Sequence, residues 1–157
     1  MSTIYVVRGV GTAPTEMASY DAALADANVH NYNLVAVSSV VPANATVEEV
    51  PIAPDLGPAG NRLTVVQARE TTSEQGQTIS AGLGWTTGPG PGLFYEASGA
   101  DEASVEASIL DGLDAGRDLR EWEFDDEQVT ISTATHEGEG YTTVVTVAAY
   151  GQSEPII

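Results

Sequence analysis

Residues 31–51 read NYNLVAVSSVVPANATVEEVP. The first half, over 33–41, has the apolar, β-branched character of a buried strand, but two adjacent hydroxyls, Ser38 and Ser39, interrupt it between Val37 and Val40. A buried hydroxyl without a hydrogen-bond partner costs roughly 1–3 kcal/mol, so a strand core has little use for two of them. The plain reading is a pair of serines bonded to backbone where the strand ends before Pro42. The alternative is that they carry chemistry.

Outward from that stretch, strands alternate with two helices. TIYVVRG (3–9) reads as a strand. PTEMASYDAALADANV places Met17, Tyr20, Leu24 and Ala27 at helical spacing, with Thr15 as N-cap and Glu16 in the first turn. Further strands are expected at 62–70, 77–85, 91–97, 128–137 and 141–151. A second helix is expected at 102–119, capped by Asp101, with Val105, Ile109, Leu113 and Gly116 along one face. Glycine and proline clusters at PIAPDLGPAGN and TTGPGPG mark turns, and GVG at 9–11 reads as another. This order predicts an α+β fold, a layered sandwich of two main helices on a largely antiparallel or mixed sheet, in a single domain over 1–157.

Composition narrows the chemistry. The 157 residues are 42% hydrophobic, enough for a packed core. Five basic side chains against 23 acidic ones give a net charge of −18, which argues against a nucleic acid or an anionic membrane as partner. All five basic residues are arginine; lysine and cysteine are absent. That removes lysine Schiff bases, a Walker-type lysine, thiol nucleophiles, disulfides and thiolate metal sites. His30 and His136 lack partners at metal-ligand spacing and the carboxylates form no EF-hand pattern, so no metal is expected. A carboxylate-rich, lysine-free surface suits a salt-rich medium that screens its self-repulsion. The start MSTIYVVRGVG has no basic n-region, and no later stretch approaches the ~20 apolar residues of a membrane span, so a cytoplasmic location is expected.

Without lysine or cysteine, an electrophile can still be made from the chain itself. A serine hydroxyl attacks the carbonyl of the residue before it and turns the amide into an ester; β-elimination then breaks the chain, and the residue left behind hydrolyses to a pyruvoyl ketone. Four blocks, SYDAALADANVHNYNLVAVSSVVP (19–42), QTISAG (77–82), GLFYEASG (92–99) and REWEF (120–124), together resemble the archaeal-type pyruvoyl-dependent arginine decarboxylases. The most specific element is Ser-Ser followed by an aliphatic pair and proline, with an asparagine five residues and an aspartate seventeen residues upstream of Ser38.

The resemblance implies an αββα-type sandwich, as in the pyruvoyl-dependent histidine and arginine decarboxylases. It implies cleavage between Ser38 and Ser39 into a β chain (1–38) and an α chain (39–157), with Ser39 becoming a covalent pyruvoyl cofactor. The implied reaction converts L-arginine to agmatine and carbon dioxide in a homotrimer of αβ units with sites between protomers. Asn33 matches the residue that assists processing by holding the carbonyl under attack; its plainer reading is a helix-to-strand turn residue. Asp21 matches the carboxylate that receives the substrate guanidinium, where a solvated surface charge is the alternative. Glu96 matches the proton donor to the α-carbon, a role that a glutamate with a raised pKa would suit; otherwise it is a strand-end residue facing water. The chain departs from the family at Gln77, where a glutamate is common, and in the polar run PANATVEEVP. Two rival functions are a non-catalytic acidic homologue used for binding or assembly and the same chemistry on another basic amino acid.

Overall fold

A computed structural model describes residues 2–157. Its strands are β1 (Ser2–Ala13), β2 (Asn33–Ala36), β3 (Val40–Val41), β4 (Ala45–Glu49), β5 (Arg62–Thr72), β6 (Thr78–Thr87), β7 (Gly92–Gly99), β8 (Asp126–Thr135) and β9 (Tyr141–Tyr150). Its helices are α1 (Glu16–Asp26) and α2 (Glu102–Asp118). One sheet has five strands in the order β2-β5-β9-β1-β4 and the other has four, β3-β7-β6-β8. The edge pairs β1·β4 and β2·β5 are parallel; the rest of the ladder is antiparallel.

Alternation along the strands builds the layers. On β1, Ile4 and Val6 join Leu83, Trp85 and Phe94 in the core between the sheets, while Tyr5 and Val7 face the other way, towards α1. The β9 run VVTVAA is buried throughout and apolar but for Thr146, because both its faces are covered. On the far side, Val105, Ile109 and Leu113 seat α2 on the four-stranded sheet; each such buried side chain contributes about 1.5–3 kcal/mol. The order of layers is therefore helix, sheet, sheet, helix, as the resemblance implied. Both predicted caps form: Thr15 accepts from the Ala18 amide at 3.2 Å and Asp101 from the Ser104 amide at 2.8 Å.

Three expectations are overturned. GVG at 9–11 is not a turn but the middle of β1. A Cβ on Gly9 would lie 2.1 Å from the Ala23 carbonyl oxygen, and one on Gly11 would lie 2.3 Å from the Ala23 amide nitrogen. These glycines let α1 rest directly on the strand, and its buried residues are accordingly Ser19, Ala23 and Leu24. Met17, expected in the apolar stripe, is 71% exposed. The polar run after the serines contains β4, whose place at the sheet edge tolerates Thr46, Glu48 and Glu49. The third correction concerns the strand expected over 33–41.

Candidate active site

That strand is two strands, and the serines are the step between them. β2 follows the edge of the five-stranded sheet to Ala36, and the Val37 amide still donates to the Val65 carbonyl at 2.9 Å. By Val40 the chain has joined the edge of the other sheet, opposite Leu93. Ser38 is exposed and Ser39 half-buried, so water solvates the hydroxyls and the desolvation cost of a strand core does not arise.

The far side of the step is firmly held. The Phe94 amide donates to the Ser39 carbonyl at 2.7 Å, and the Tyr150 hydroxyl donates to the Val40 carbonyl at 2.9 Å. The Tyr150 ring lies against Phe94, which in turn packs on Trp85, with ring centroids 6.1 Å apart in each pair. Burial pushes the Tyr150 hydroxyl up to about 12, so it remains a neutral donor. Glu96 follows Phe94 by two residues and therefore points to the same face of β7. β6 pairs with Glu96 at Leu83, but β3 pairs only with Leu93 and Gly92, so the outer edge of β7 is open at Glu96. Partial burial still raises its carboxyl above the ordinary glutamate range.

Asp21 and Asn33 belong to a different place. Both line a groove of about 670 Å³ beside Tyr20, Leu24, His30 and Gln67. Its wall is braced by the Tyr20 hydroxyl, which donates to Gln67 Oε1 at 2.8 Å, and by Arg69 stacked 4.4 Å over the Tyr20 ring. Asn33 donates through Nδ2 to the Gly60 carbonyl at 2.8 Å, and its own amide reaches the Asn61 carbonyl at the same distance. Five residues of extended chain, roughly 16–17 Å, separate it from Ser38. Within one chain, Ser39 is held by the amide two residues before Glu96, whereas Asp21 and Asn33 share the groove at the other end of residues 33–38.

Phe94 and Tyr150 went unread in the sequence. The first acts through its backbone, and the second is 110 residues distant from the carbonyl it holds. Gln77, where this chain departs from the family's common glutamate, sits just before β6, at the end away from Phe94, hydrogen-bonded to Thr72, so in its own chain it leaves the charge around Ser39 untouched. The residues at position 39 fit a pyruvoyl group. Its carbonyl already has a donor, the peptide before it has no ladder pairing to lose on cleavage, and a carboxyl stands on the same strand face as that donor.

The sequence profile of the family described as pyruvoyl-dependent arginine decarboxylase (PvlArgDC) matches residues 3–155. A pyruvoyl-dependent arginine decarboxylase of Halobacterium salinarum is 54% identical over 99% of this chain and 98% of its own. Those of Thermococcus sibiricus and Methanococcus aeolicus are 32% and 30% identical, over 77% and 79% of this chain and 77% and 75% of their own. The chain belongs to the pyruvoyl-dependent arginine decarboxylase family.

Proposed function

We propose that this protein decarboxylates L-arginine to agmatine and carbon dioxide, using a pyruvoyl group made from its own Ser39. What carries this is the setting of the Ser38–Ser39 peptide: open to water at the step between the sheets, anchored by Phe94 at 2.7 Å on its far side, with Glu96 two residues further along β7. In processing, Ser39 Oγ bonds to the Ser38 carbonyl carbon as the amide C–N bond breaks, and the hydroxyl proton moves to the freed nitrogen. Loss of the Ser39 α-proton expels Ser38 as a carboxylate. Water then replaces the nitrogen, which leaves as ammonia, and the products are chains 1–38 and 39–157.

The pyruvoyl group supplies a ketone for the substrate amine and an electron sink for the bond that releases carbon dioxide. The rest falls to the chain's own residues. The Phe94 amide faces the Ser39 carbonyl oxygen, where it stabilises negative charge. Glu96, its carboxyl raised by burial, keeps its proton to higher pH than an ordinary glutamate and returns it to the substrate α-carbon. Asp21 takes the planar guanidinium through two parallel charge-assisted hydrogen bonds, beside the apolar wall of Tyr20 and Leu24.

A homotrimer with sites between protomers unites the two half-sites, setting the groove of one copy against the serine step of the next. Closed cyclic assembly is an ordinary symmetric solution for such a contact. The partly exposed Val35, Val37 and Val40 around the step supply apolar surface for it. In that arrangement Asn33 of one copy holds the Ser38 carbonyl of its neighbour during processing.

Intact-mass spectrometry tests the reading directly. Folded wild-type protein is expected to give two species, 1–38 and 39–157, the longer with a blocked amino terminus, while Ser39→Ala stays whole and inactive. A single unmodified 157-residue species in the folded wild type would instead fit a non-catalytic acidic homologue.

A further inference from the structure

We propose, on the reading of the serine pair given above, that Tyr150 is the positioning residue for self-cleavage, holding the peptide after Ser39 against the sheet it has just joined. β3 is only two residues long and lies at a sheet edge, so its own ladder is a weak anchor for the reactive serine. Tyr150 closes β9 in the opposite sheet, and its hydroxyl reaches across to the Val40 carbonyl at 2.9 Å. Its ring also packs on Phe94, whose amide holds the Ser39 carbonyl. One side chain thus steadies both hydrogen bonds downstream of the scissile peptide, while the Val37–Val65 bond fixes the chain upstream.

Attack by Ser39 Oγ on the Ser38 carbonyl carbon needs the two held in a near-attack arrangement, and that depends on the chain being fixed on both sides of the pair. With the Ser39 and Val40 carbonyls released, the backbone at Ser39 could turn and swing the hydroxyl away. Tyr150 exchanges no proton in the step; the Ser39 hydroxyl proton passes to the Ser39 nitrogen.

A second bond on the same strand separates positioning from general stability. Thr146, also on β9, donates from Oγ1 to the Ala81 carbonyl at 2.8 Å, likewise across the two sheets but away from the serines. Tyr150→Phe and Thr146→Val each remove one hydroxyl-to-carbonyl bond between the sheets and keep most of the side-chain volume. The test is a time course of chain cleavage, followed by intact mass on freshly folded protein. Tyr150→Phe is expected to cleave several-fold to about tenfold more slowly than wild type, and Thr146→Val at the wild-type rate. In the uncleavable Ser39→Ala chain, Tyr150→Phe should speed hydrogen exchange at Val41 and at the Phe94 amide and leave exchange in the interior of β5 unchanged, a readout that stands if the single variant folds poorly. Equal cleavage by Tyr150→Phe and wild type, equal slowing by both variants, or unchanged exchange at β3 would overturn the assignment. Failure of the wild type to cleave at all would instead remove the reading of the serine pair.

Discussion

The serine step and the Asp21 groove position their groups by different means. At the step, backbone carbonyls are held by an amide and by a hydroxyl whose ring is packed between the sheets. In the groove, a carboxylate stands exposed on a helix that rests on two glycines. The first arrangement suits bond-making, which tolerates little displacement. The second suits recognition of a long cationic side chain, where an exposed carboxylate can adjust to its ligand. Damage to one region is therefore expected to change rate, and damage to the other to change affinity.

The largest effect after loss of Ser39 itself is expected at Glu96. Glu96→Gln should process normally and bind arginine, yet turn over about 10²–10⁴-fold more slowly. Because burial raises this carboxyl, the acid form persists below its raised pKa and is lost as pH rises through it, above the ordinary glutamate range. Wild-type turnover should fall across that window, whereas the pH profile of Glu96→Gln lacks that limb. The same shift contributes stability below the unfolded glutamate pKa and loses it as pH rises through the folded one. A wild-type rate in the variant would remove Glu96 from the chemistry.

Asp21→Asn should change KM instead. Replacing a charge-assisted pair by a neutral contact is expected to weaken arginine binding about tenfold, narrow the preference over amino acids with uncharged tails, and leave cleavage intact. An unchanged preference would mean that the guanidinium is read elsewhere. Gly11→Ala is the smallest probe. Its new methyl would sit 2.3 Å from the Ala23 amide nitrogen, so α1 must lift. A stability loss of about 1–3 kcal/mol and a modest rise in KM are expected, with self-cleavage unaffected. Slowed cleavage in this variant would show that groove and step are not independent.

The strands and both helix starts were legible because β-branched runs and the capping residues Thr15 and Asp101 are local signals. The split at Ser38–Ser39 was not, since a period of two says which way a side chain points and nothing about which sheet the strand joins. β4 escaped notice because an edge strand does not need apolar side chains on both faces. Gly9 and Gly11 imitate a turn in composition, and their cause is the close approach of Ala22 and Ala23 on α1, more than ten residues later in the chain. The residues proposed to carry the chemistry come from the resemblance alone. Their separation into two half-sites was not legible, because it depends on where each end of β2 lies in the folded chain.

The position of β1 bears on what the proposed self-cleavage would do to the thermodynamics of unfolding. β1 lies between β9 and β4, and β2 pairs with β5, so every ladder partner of the strands before Ser38 comes from the chain after it. Cutting the 38–39 bond removes no rung, and the shorter piece stays threaded through the sheet of the longer one. Unfolding, however, changes its molecularity: an uncut protomer unfolds into one chain, a cut protomer into two. The melting temperature of the processed protomer therefore acquires a dependence on protein concentration that comes from within the subunit itself, and refolding after denaturation becomes a search between two separate molecules.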